Sequence, residues 1–299
     1  MGLIFDKPEY IFRPLQLWRR LIRTRPPVVK EQILRLPWGH ELAVQINETI
    51  GHSLWHLGIY DLAVSEALWR LTETGETVAD IGANVGYVTS LLAKKAGREG
   101  QVWAFEPHPL LFARLQKNVQ GWPKGSCAEV HCYPKAVSDV TGRDELMIPK
   151  DFAANTGTAF LRGADNQAPT VDKVAVELTT LKNTCETLGS IPSVIKIDTE
   201  GNEAKVLAGA APLLAQGKVR DIIFEDHGTY PTPAMQELLR HGYTLFRVQK
   251  NFLGPSLENP VLQPAKGNWE PVSYLATRDG VRAQNKMRPR GWQVLAARG

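Results

Sequence analysis

The chain has 299 residues, of which 43% are hydrophobic and 22% charged, and it carries a net charge of +4 at neutral pH. This size and apolar content can bury one large α/β core with a small appendage. No apolar run approaches the ~20 residues that span a bilayer, and arginines interrupt the apolar residues near the start, so we predict neither a membrane span nor a signal peptide. The three cysteines lack paired or metal-binding spacing, which predicts free thiols in a cytoplasmic protein.

Basic residues are concentrated at the two ends of the chain. Residues 1–30 carry seven basic side chains against two acidic ones, and residues 278–299 carry six against one, so the body between them is acidic. Residues 9–25 place apolar and aromatic side chains among five arginines, a pattern typical of a basic amphipathic helix. Such a helix packs on its own protein or lies on anionic lipid at the inner face of the membrane, and we favour packing. The acidic body argues against a nucleic-acid partner.

Two elements are predicted before the core begins. Alternating residues at 32–36 and 41–46, on either side of a turn at 37–40, indicate a hairpin. Apolar residues at helical spacing over 58–71 then predict a helix that leads into the first core strand.

The core is organised around residues 77–87. An apolar strand ends near Asp80, and a tight turn with Gly82 and Gly86 follows it, before a helix that runs to residue 95. Free N–H groups at such a helix start attract an anion. The spacing G-x-x-x-G differs from the dinucleotide fingerprint, and the carboxylate of Asp80 would repel a pyrophosphate. The carboxylate of Asp80 suits a ligand that carries an ammonium group next to a carboxylate of its own. The turn therefore predicts a nucleotide that bears an amino acid, S-adenosylmethionine.

The next two strands carry side chains suited to the rest of that nucleotide. The strand at 101–106 ends in Glu106, 20 residues beyond Gly86. In a doubly wound sheet, a carboxylate at this place accepts hydrogen bonds from both ribose hydroxyls. The strand at 129–133 leads to Val137, on which an adenine ring could pack.

A pair of strands outside the main sheet is predicted at 143–149 and 174–178. The polar, glycine-containing loop between them, residues 150–172, has the length of a mobile cover over a site.

Acidic residues follow the last two predicted core strands. The strand at 193–198 ends in Asp198, which should point at the same crevice as the acids of the earlier strands. Glu203 is interpreted as charge that complements the dipole of the next helix, predicted over 204–211 and ended by Pro212. The strand at 221–224 is followed by three further polar residues, Glu225, Asp226 and His227.

Six motifs occur in order along the chain: GIYDLAVSEAL at 58–68, VADIGANVGYVTSLLA at 78–93, VWAFEPHP at 102–109, KAVSD at 135–139, NTGTAFL at 155–161 and VIKIDTEGNEAKVLAGA at 194–210. Together they resemble the FkbM family of S-adenosylmethionine-dependent methyltransferases, over about residues 55–275. The resemblance implies the α/β fold of class I methyltransferases, a Rossmann-like, doubly wound and mostly parallel sheet. Residues 1–54 would form an N-terminal helix and hairpin extension, and residues 276–299 a basic C-terminal tail.

The resemblance also assigns roles to individual residues. It places the cofactor against Tyr60, Asp80, Gly82, Asn84, Gly86, Thr89, Glu106, Pro107, Val137, Ser138 and Asp198. Asp198 would face the methyl group and the acceptor, with Glu200 and His227 as further catalytic candidates. Residues 181–183, where many relatives carry an acid, and residues 225–227 depart from the family pattern, both on the acceptor side.

Methyl transfer to a hydroxyl needs a base, and the sequence offers two candidates. A sugar hydroxyl is a poor nucleophile at pH 7, and removal of its proton by a base contributes ~10²–10⁴-fold. Asp198 is the first choice, and His227, whose pKa is better matched, is the second. Asp198, Glu225 and Asp226 could supply oxygen ligands to Mg²⁺, but no spacing signature favours a metal.

The resemblance thus predicts an O-methyltransferase whose acceptor is a hydroxyl of a carbohydrate or a glycosylated natural product. One alternative is an enzyme of the same fold that methylates a carboxyl, nitrogen or lipid acceptor. Another is a non-catalytic protein that binds S-adenosylmethionine and works through its basic ends. No pattern in the sequence sets the oligomeric state.

Overall fold

The computed structural model describes residues 8–12, 31–152, 155–164, 168–261 and 272–297. The helices in these ranges are α1 (Pro8–Phe12), α2 (Thr49–Leu57), α3 (Leu62–Leu71), α4 (Tyr87–Ala96), α5 (Pro109–Gln120), α6 (Leu181–Leu188), α7 (Glu203–Ala215), α8 (Pro233–Arg240), α9 (Gly280–Met287) and α10 (Gln293–Ala296). The strands are β1 (Glu31–Arg35), β2 (Glu41–Gln45), β3 (Thr77–Ile81), β4 (Gln101–Phe105), β5 (Glu129–Tyr133), β6 (Lys135–Val137), β7 (Gly142–Pro149), β8 (Phe160–Leu161), β9 (Thr170–Thr179), β10 (Val194–Ile197), β11 (Asp221–Glu225), β12 (Thr244–Asn251), β13 (Gly254–Glu258) and β14 (Ser273–Thr277).

An eight-stranded sheet forms the centre of the molecule, in the order β13-β12-β14-β11-β10-β3-β4-β5. The five strands from β11 to β5 are parallel, and β14, β12 and β13 extend the sheet in antiparallel pairing. The chain adds β4 and β5 on one side of β3 and later places β10 and β11 on the other. At such a switch point the loops after the strands diverge and leave a crevice. The predicted doubly wound, mostly parallel sheet is confirmed.

Alternating side chains of the core strands supply two apolar layers. Val78 and Val102 pack with α3 and α4 on one face of the sheet, whereas Ala79 and Trp103 pack with α7 and α8 on the other. All four side chains are fully buried. Because helices cover both faces of the sheet, these strands are continuous apolar runs in the sequence and do not alternate between apolar and polar residues.

A second sheet, in the order β6-β9-β7-β8, follows β5 in the chain. β7 and β9 pair antiparallel, which confirms the predicted pair of strands outside the main sheet. The prediction of one continuous loop over 150–172 is wrong, because β8 pairs with β7 through Leu146 and Leu161 and β9 already begins at Thr170. Leu146, Leu161 and Val176 pack in a small apolar cluster of their own, which stabilises this pairing.

The helix predicted over 58–71 begins later than expected. Gly58 ends α2 with a φ of 78°, and Asp61 caps α3 by accepting a hydrogen bond from the backbone N–H of Val64 at 3.1 Å. A left-handed glycine and an aspartate cap stop one helix and start the next. The turn between them carries Tyr60.

Pro212 does not end its helix, since α7 continues to Ala215. Proline lacks an N–H, so one carbonyl of the preceding turn loses its hydrogen bond. Leu213 and Leu214, however, are 3% and 0% exposed and hold the last turn against the core. We infer that this burial outweighs the lost hydrogen bond.

The predicted N-terminal hairpin is confirmed, because β1 and β2 pair antiparallel. It is anchored on α4, where the indole of Trp38 donates to the hydroxyl of Ser90 at 3.1 Å. The basic helix predicted over 9–25 falls mostly outside the described residues, within which α1 covers Pro8–Phe12. None of the helices in the described ranges is long and apolar enough to cross a membrane.

The prediction of a separate basic C-terminal tail is wrong. β14 is inserted between β11 and β12, and the helices after it bury Ala283 and Val294 in the main apolar core. Two basic side chains of this region form ion pairs. The guanidinium of Arg282 lies 3.0 Å from Asp221 and 2.8 Å from Glu73, and the ammonium of Lys286 lies 2.7 Å from Glu73. Residues 276–297 are therefore part of the folded domain.

Candidate functional site

A cavity of about 310 Å³ opens at the carboxyl ends of β3, β4, β10 and β11, where the strand order reverses. Small-molecule sites typically enclose about 300–1,000 Å³. Eight predicted site residues line this cavity: Tyr60, Gly82, Asn84, Glu106, Pro107, Val137, Asp198 and Glu200. Five others are not in its lining: Asp80, Gly86, Thr89, Ser138 and His227. The strand ends therefore assemble most of the predicted site.

The turn after β3 forms one wall of the cavity and requires glycine at its first position. Gly82 has a φ of 79°, and a Cβ there would lie 1.9 Å from the carbonyl oxygen of Asp198. This glycine lets the ends of β3 and β10 approach each other. Gly86, with a φ of 95°, precedes α4 behind the wall, where a Cβ would lie 2.8 Å from Leu115. The small size of Gly86 serves packing against Leu115, and its contact with the cofactor stays a prediction.

Asp80 and Thr89 lie beneath the cavity rather than in it. The carboxylate of Asp80 is fully buried, accepts a hydrogen bond from Thr89 Oγ1 at 2.6 Å and lies 3.5 Å from Lys196 Nζ. Burial raises the pKa of Asp80, although Lys196 opposes this shift. Neither side chain lines the cavity in this structure, so the contact of Asp80 and Thr89 with the cofactor stays a prediction.

Glu106 is buried beside the turn and is held by two backbone donors. Its carboxylate accepts hydrogen bonds from the N–H groups of Asn84 at 2.8 Å and His108 at 2.9 Å. Each carboxylate oxygen keeps a further acceptor position. Burial raises the pKa of Glu106 to about 7 against the effect of these hydrogen bonds. The arrangement leaves room in the hydrogen-bonding pattern for the two ribose hydroxyls predicted to bind here.

Val137 and Pro107 supply apolar surface to the cavity. The position of Val137 is fixed by Asn202, whose side-chain amide donates to the carbonyl of Val137 at 3.0 Å. Ser138 instead donates its N–H to the carbonyl of Thr179 at 2.9 Å and lies outside the lining. The cofactor contact of Ser138 therefore stays a prediction, whereas Val137 is placed where an apolar ring could pack.

Three carboxyl side chains from the ends of two strands converge on the cavity. Asp198 follows β10, Glu200 lies in the turn after it, and Glu225 ends β11. Glu200 has a φ of 55°, an uncommon conformation for a residue with a side chain. Burial, with Asp198 and Glu225 nearby, raises the pKa of Glu200 to about 8. Burial and the charge of Asp198 also raise the pKa of Tyr60, so its hydroxyl stays protonated at neutral pH.

His227 lies at the surface beside this acidic cluster. Its side chain is 71% exposed, and its Nε2 is 2.9 Å from Glu225 Oε1. The hydrogen bond to Glu225 raises the pKa of His227. The prediction that His227 faces the cavity is wrong in this structure, because the side chain reaches it only through Glu225.

The remaining acids of the two strand ends have local structural partners. Glu203, the first residue of α7, accepts hydrogen bonds from the N–H groups of Thr199 at 2.9 Å and Gly201 at 3.1 Å, which confirms its interpretation as a helix-start charge. Asp226 accepts from the N–H of Gly228 at 2.8 Å. Within the described ranges, no group of three or more His, Cys, Asp or Glu side chains is arranged to hold a metal ion.

Sequence reasoning missed two features of the lining. Lys196 stands within the apolar strand β10 and donates to the carbonyl of Gly82 at 2.9 Å, a role that its unusual position in the strand could have suggested. Thr156 donates to Glu48 at 3.3 Å, and Glu48 also pairs with Arg114 at 2.8 Å. This contact joins the segment after β7 to the N-terminal extension. No local sequence pattern predicts it.

A glycine turn, a buried acid and an acidic cluster around the crevice of a doubly wound sheet define an α/β enzyme site for a nucleotide-like ligand. Residues 80–245 match the methyltransferase FkbM domain, a match that covers more than half of the chain. The chain belongs to the FkbM methyltransferase family. It is therefore a methyltransferase, and the class I methyltransferase fold predicted from the motifs is confirmed.

Solved structures show similarity at low sequence identity. The SAM-dependent O-methyltransferase of Thermotoga maritima is 14% identical, with 83% of this chain and 77% of that chain covered and a TM-score of 0.40. Fibrillarin of Aeropyrum pernix, solved with natively bound S-adenosyl-L-methionine, is 11% identical, with 84% of each chain covered and a TM-score of 0.39. Precorrin-6y C5,15-methyltransferase of Geobacter metallireducens is 14% identical, with coverage of 72% and 87% and a TM-score of 0.38. Among curated proteins, none matches the chain.

Proposed function

We propose that this chain uses S-adenosylmethionine to methylate a hydroxyl group of a carbohydrate or a glycosylated natural product. The observation that carries the proposal is the placement of Asp198. Its carboxylate lines the cavity, is 40% exposed and is held 3.2 Å from Lys196 Nζ. A base for a hydroxyl acceptor needs this combination of access and fixed orientation.

The cavity lining fits S-adenosylmethionine. Val137 and Pro107 offer apolar surface for an adenine ring, and Glu106 offers acceptor positions for the ribose hydroxyls. The carboxylates of Asp198 and Glu225 suit a cationic ligand, because opposite charges attract strongly where water is scarce. Glu200, whose pKa is raised to about 8, is mostly protonated at neutral pH and adds little negative charge. When bound, the cofactor supplies a methyl group on a sulfonium, which is already an activated electrophile.

The protein's own residues then have two tasks in the transfer. Asp198 orients the acceptor hydroxyl and accepts its proton as the new oxygen–carbon bond forms. The neutral hydroxyl of Tyr60 and the carboxylate of Glu225 line the same cavity and can exchange hydrogen bonds with further hydroxyls of the acceptor. Carboxylates accept hydrogen bonds without donating any, so a polyhydroxylated acceptor satisfies them best.

Turnover of tritiated S-adenosylmethionine with a panel of sugars, glycosides and lipids tests the proposal. We expect label in a hydroxyl-bearing sugar or glycoside, in a product that resists mild alkali as a methyl ether does. Alkali-labile label would indicate a methyl ester and a carboxyl acceptor. Label confined to amines or lipids would contradict the sugar assignment, and tight cofactor binding without any transfer would indicate a non-catalytic binding protein.

A pH-dependent cofactor affinity is expected from Glu106. Because the pKa of Glu106 is raised to about 7, the carboxylate is protonated below that pH and loses acceptor capacity for the ribose. The affinity of the wild type for S-adenosylmethionine should therefore fall by about tenfold from pH 8 to pH 6. Calorimetry of the wild type and Glu106→Gln at both pH values checks this. The variant should bind more weakly and lose that part of the pH dependence, and identical profiles of the two proteins would refute the ribose role.

A further inference from the structure

Lys196 is a buried cation at the base of the cavity. It is 7% exposed, donates to the carbonyl of Gly82 at 2.9 Å, and lies 3.2 Å from Asp198 Oδ2 and 3.5 Å from Asp80 Oδ1. The ammonium group donates a hydrogen bond to the backbone carbonyl and forms ion pairs with the two carboxylates. The contacts join the turn after β3 to the carboxylate that follows β10.

Strand pairing brings these charges together. Lys196 is directly opposite Asp80 on the neighbouring strand, and Asp198 follows Lys196 by two residues. Side chains two residues apart in an extended chain point to the same face, so the ammonium lies between the two carboxylates. Burial disfavours its charge, but the attraction of Asp198 and Asp80 outweighs burial and raises the pKa of Lys196. The lysine therefore remains charged at neutral pH.

We propose that Lys196 is a positioning residue whose permanent charge holds Asp198 in place whether the cofactor sulfur is charged or neutral. This inference rests on the proposed function. S-adenosylmethionine carries a sulfonium, whereas the product S-adenosylhomocysteine has a neutral thioether at the same atom. Without Lys196, Asp198 would depend on the sulfonium as its cation and would lose that partner at every turnover. The fixed ammonium at 3.2 Å gives the carboxylate the same partner before and after the transfer.

The ratio of the affinities for S-adenosylmethionine and S-adenosylhomocysteine reports the net negative charge of the residues around the cofactor sulfur. The ligands differ by the methyl group and the charge that it brings to sulfur, so a general distortion of the cavity should weaken both alike. Loss of the Lys196 charge should instead favour the cationic ligand. For charges several ångströms apart at a partly buried site, we expect Lys196→Met to raise the preference for S-adenosylmethionine over S-adenosylhomocysteine about tenfold, or ~1.4 kcal/mol.

Calorimetry of the whole chain with each ligand is the test. Because Lys196→Met leaves the fully buried Asp80 without its cation and can unfold the protein, the variant Asp80→Asn/Lys196→Met is measured beside it. This double variant removes both buried charges and still leaves Asp198 unpaired. Because it has the same net charge as the wild type, its reference is Asp80→Asn, from which it differs only by the charge of Lys196. Lys205→Met is the matched control, because the ammonium of Lys205 also donates to a backbone carbonyl, that of Gly163 at 3.1 Å, but at a more exposed position.

The expected result is a tenfold higher affinity ratio in Lys196→Met than in the wild type, and in the double variant than in Asp80→Asn, with an unchanged ratio in Lys205→Met. If the double variant and Asp80→Asn show the same ratio, Lys196 has a merely structural role and the proposal is overturned. If the wild type binds neither ligand, the proposed function itself is refuted. That outcome is distinct from a wild type that binds both ligands while removal of the Lys196 charge leaves the ratio unchanged.

Discussion

Replacement of Asp198 by asparagine is expected to lower turnover by ~10²-fold or more, while S-adenosylmethionine still binds with an affinity lowered by no more than about tenfold. Asparagine keeps the size of the side chain and an oxygen that can accept from Lys196, but it cannot take up the acceptor proton. At saturating cofactor the loss should therefore appear in kcat. Initial rates with the acceptor found in the panel, together with calorimetry of the cofactor, check both halves of this expectation.

His227→Ala provides the comparison for Asp198→Asn. The imidazole is 71% exposed and contacts Glu225 rather than the cavity, so its removal should lower turnover by much less. If His227 were the base, the two outcomes would be exchanged. The wild-type rate would then also fall as the pH drops through the raised pKa of His227. Near-normal turnover in both variants would remove both residues from the mechanism.

The largest effect on stability is expected from Arg70→Met. Arg70 and Glu66 form a buried ion pair, with side chains 1% and 0% exposed. The guanidinium also donates to the carbonyls of Pro289 at 2.8 Å and Gly291 at 2.7 Å, and Glu66 accepts from the N–H of Val294 at 2.8 Å. This pair therefore fixes the C-terminal segment on α3. Its removal leaves a buried carboxylate and several carbonyls without a charged partner.

Arg70→Met should lower the free energy of unfolding by ~3–5 kcal/mol, because an uncompensated charge remains buried. Urea denaturation followed by circular dichroism measures the change. The double variant Glu66→Gln/Arg70→Met should recover part of the loss, since the buried charge is then removed as well. Arg240→Met, at an exposed pair with Glu237, is the control and should change stability by less than about 1 kcal/mol. An equally small effect of Arg70→Met would refute the role given to the pair.

Local patterns in the sequence predicted the core elements well. An apolar run, a glycine and apolar residues at helical spacing, all within about twenty residues, predict the strand, turn and helix around Gly82. In the structure this glycine has a positive φ. Acids at the ends of successive strands could be placed on one crevice without knowing the packing, because parallel strands end at the same edge of a sheet. Asp198 and Glu106 were located in this way.

The same reasoning misplaced residues whose positions depend on neighbours in space. In the sequence Asp80 and Asp198 both stand at the end of an apolar run, yet β3 continues through Asp80 to Ile81, whereas Asp198 follows the last residue of β10. Asp80 is fully buried and Asp198 reaches the cavity. The difference arises from strand pairing, which puts Lys196 beside Asp80 and covers it. A lysine inside an apolar strand carries no local sign of the two acids that neutralise it.

The charged residues show most clearly what the sequence determines and what only the tertiary structure determines. The sequence by itself determined that basic residues gather at the C-terminal end, but it could not determine whether they are exposed or paired. Arg282 is neutralised by Asp221, 61 residues earlier, and Arg70 holds backbone carbonyls more than 200 residues later in the chain. Helices and strands form from contacts within a few residues, which the sequence displays directly. Burial, ion pairing and access to the cavity depend on contacts between distant segments, such as the pairing of β14 with β11 and the packing of the C-terminal helices on the core.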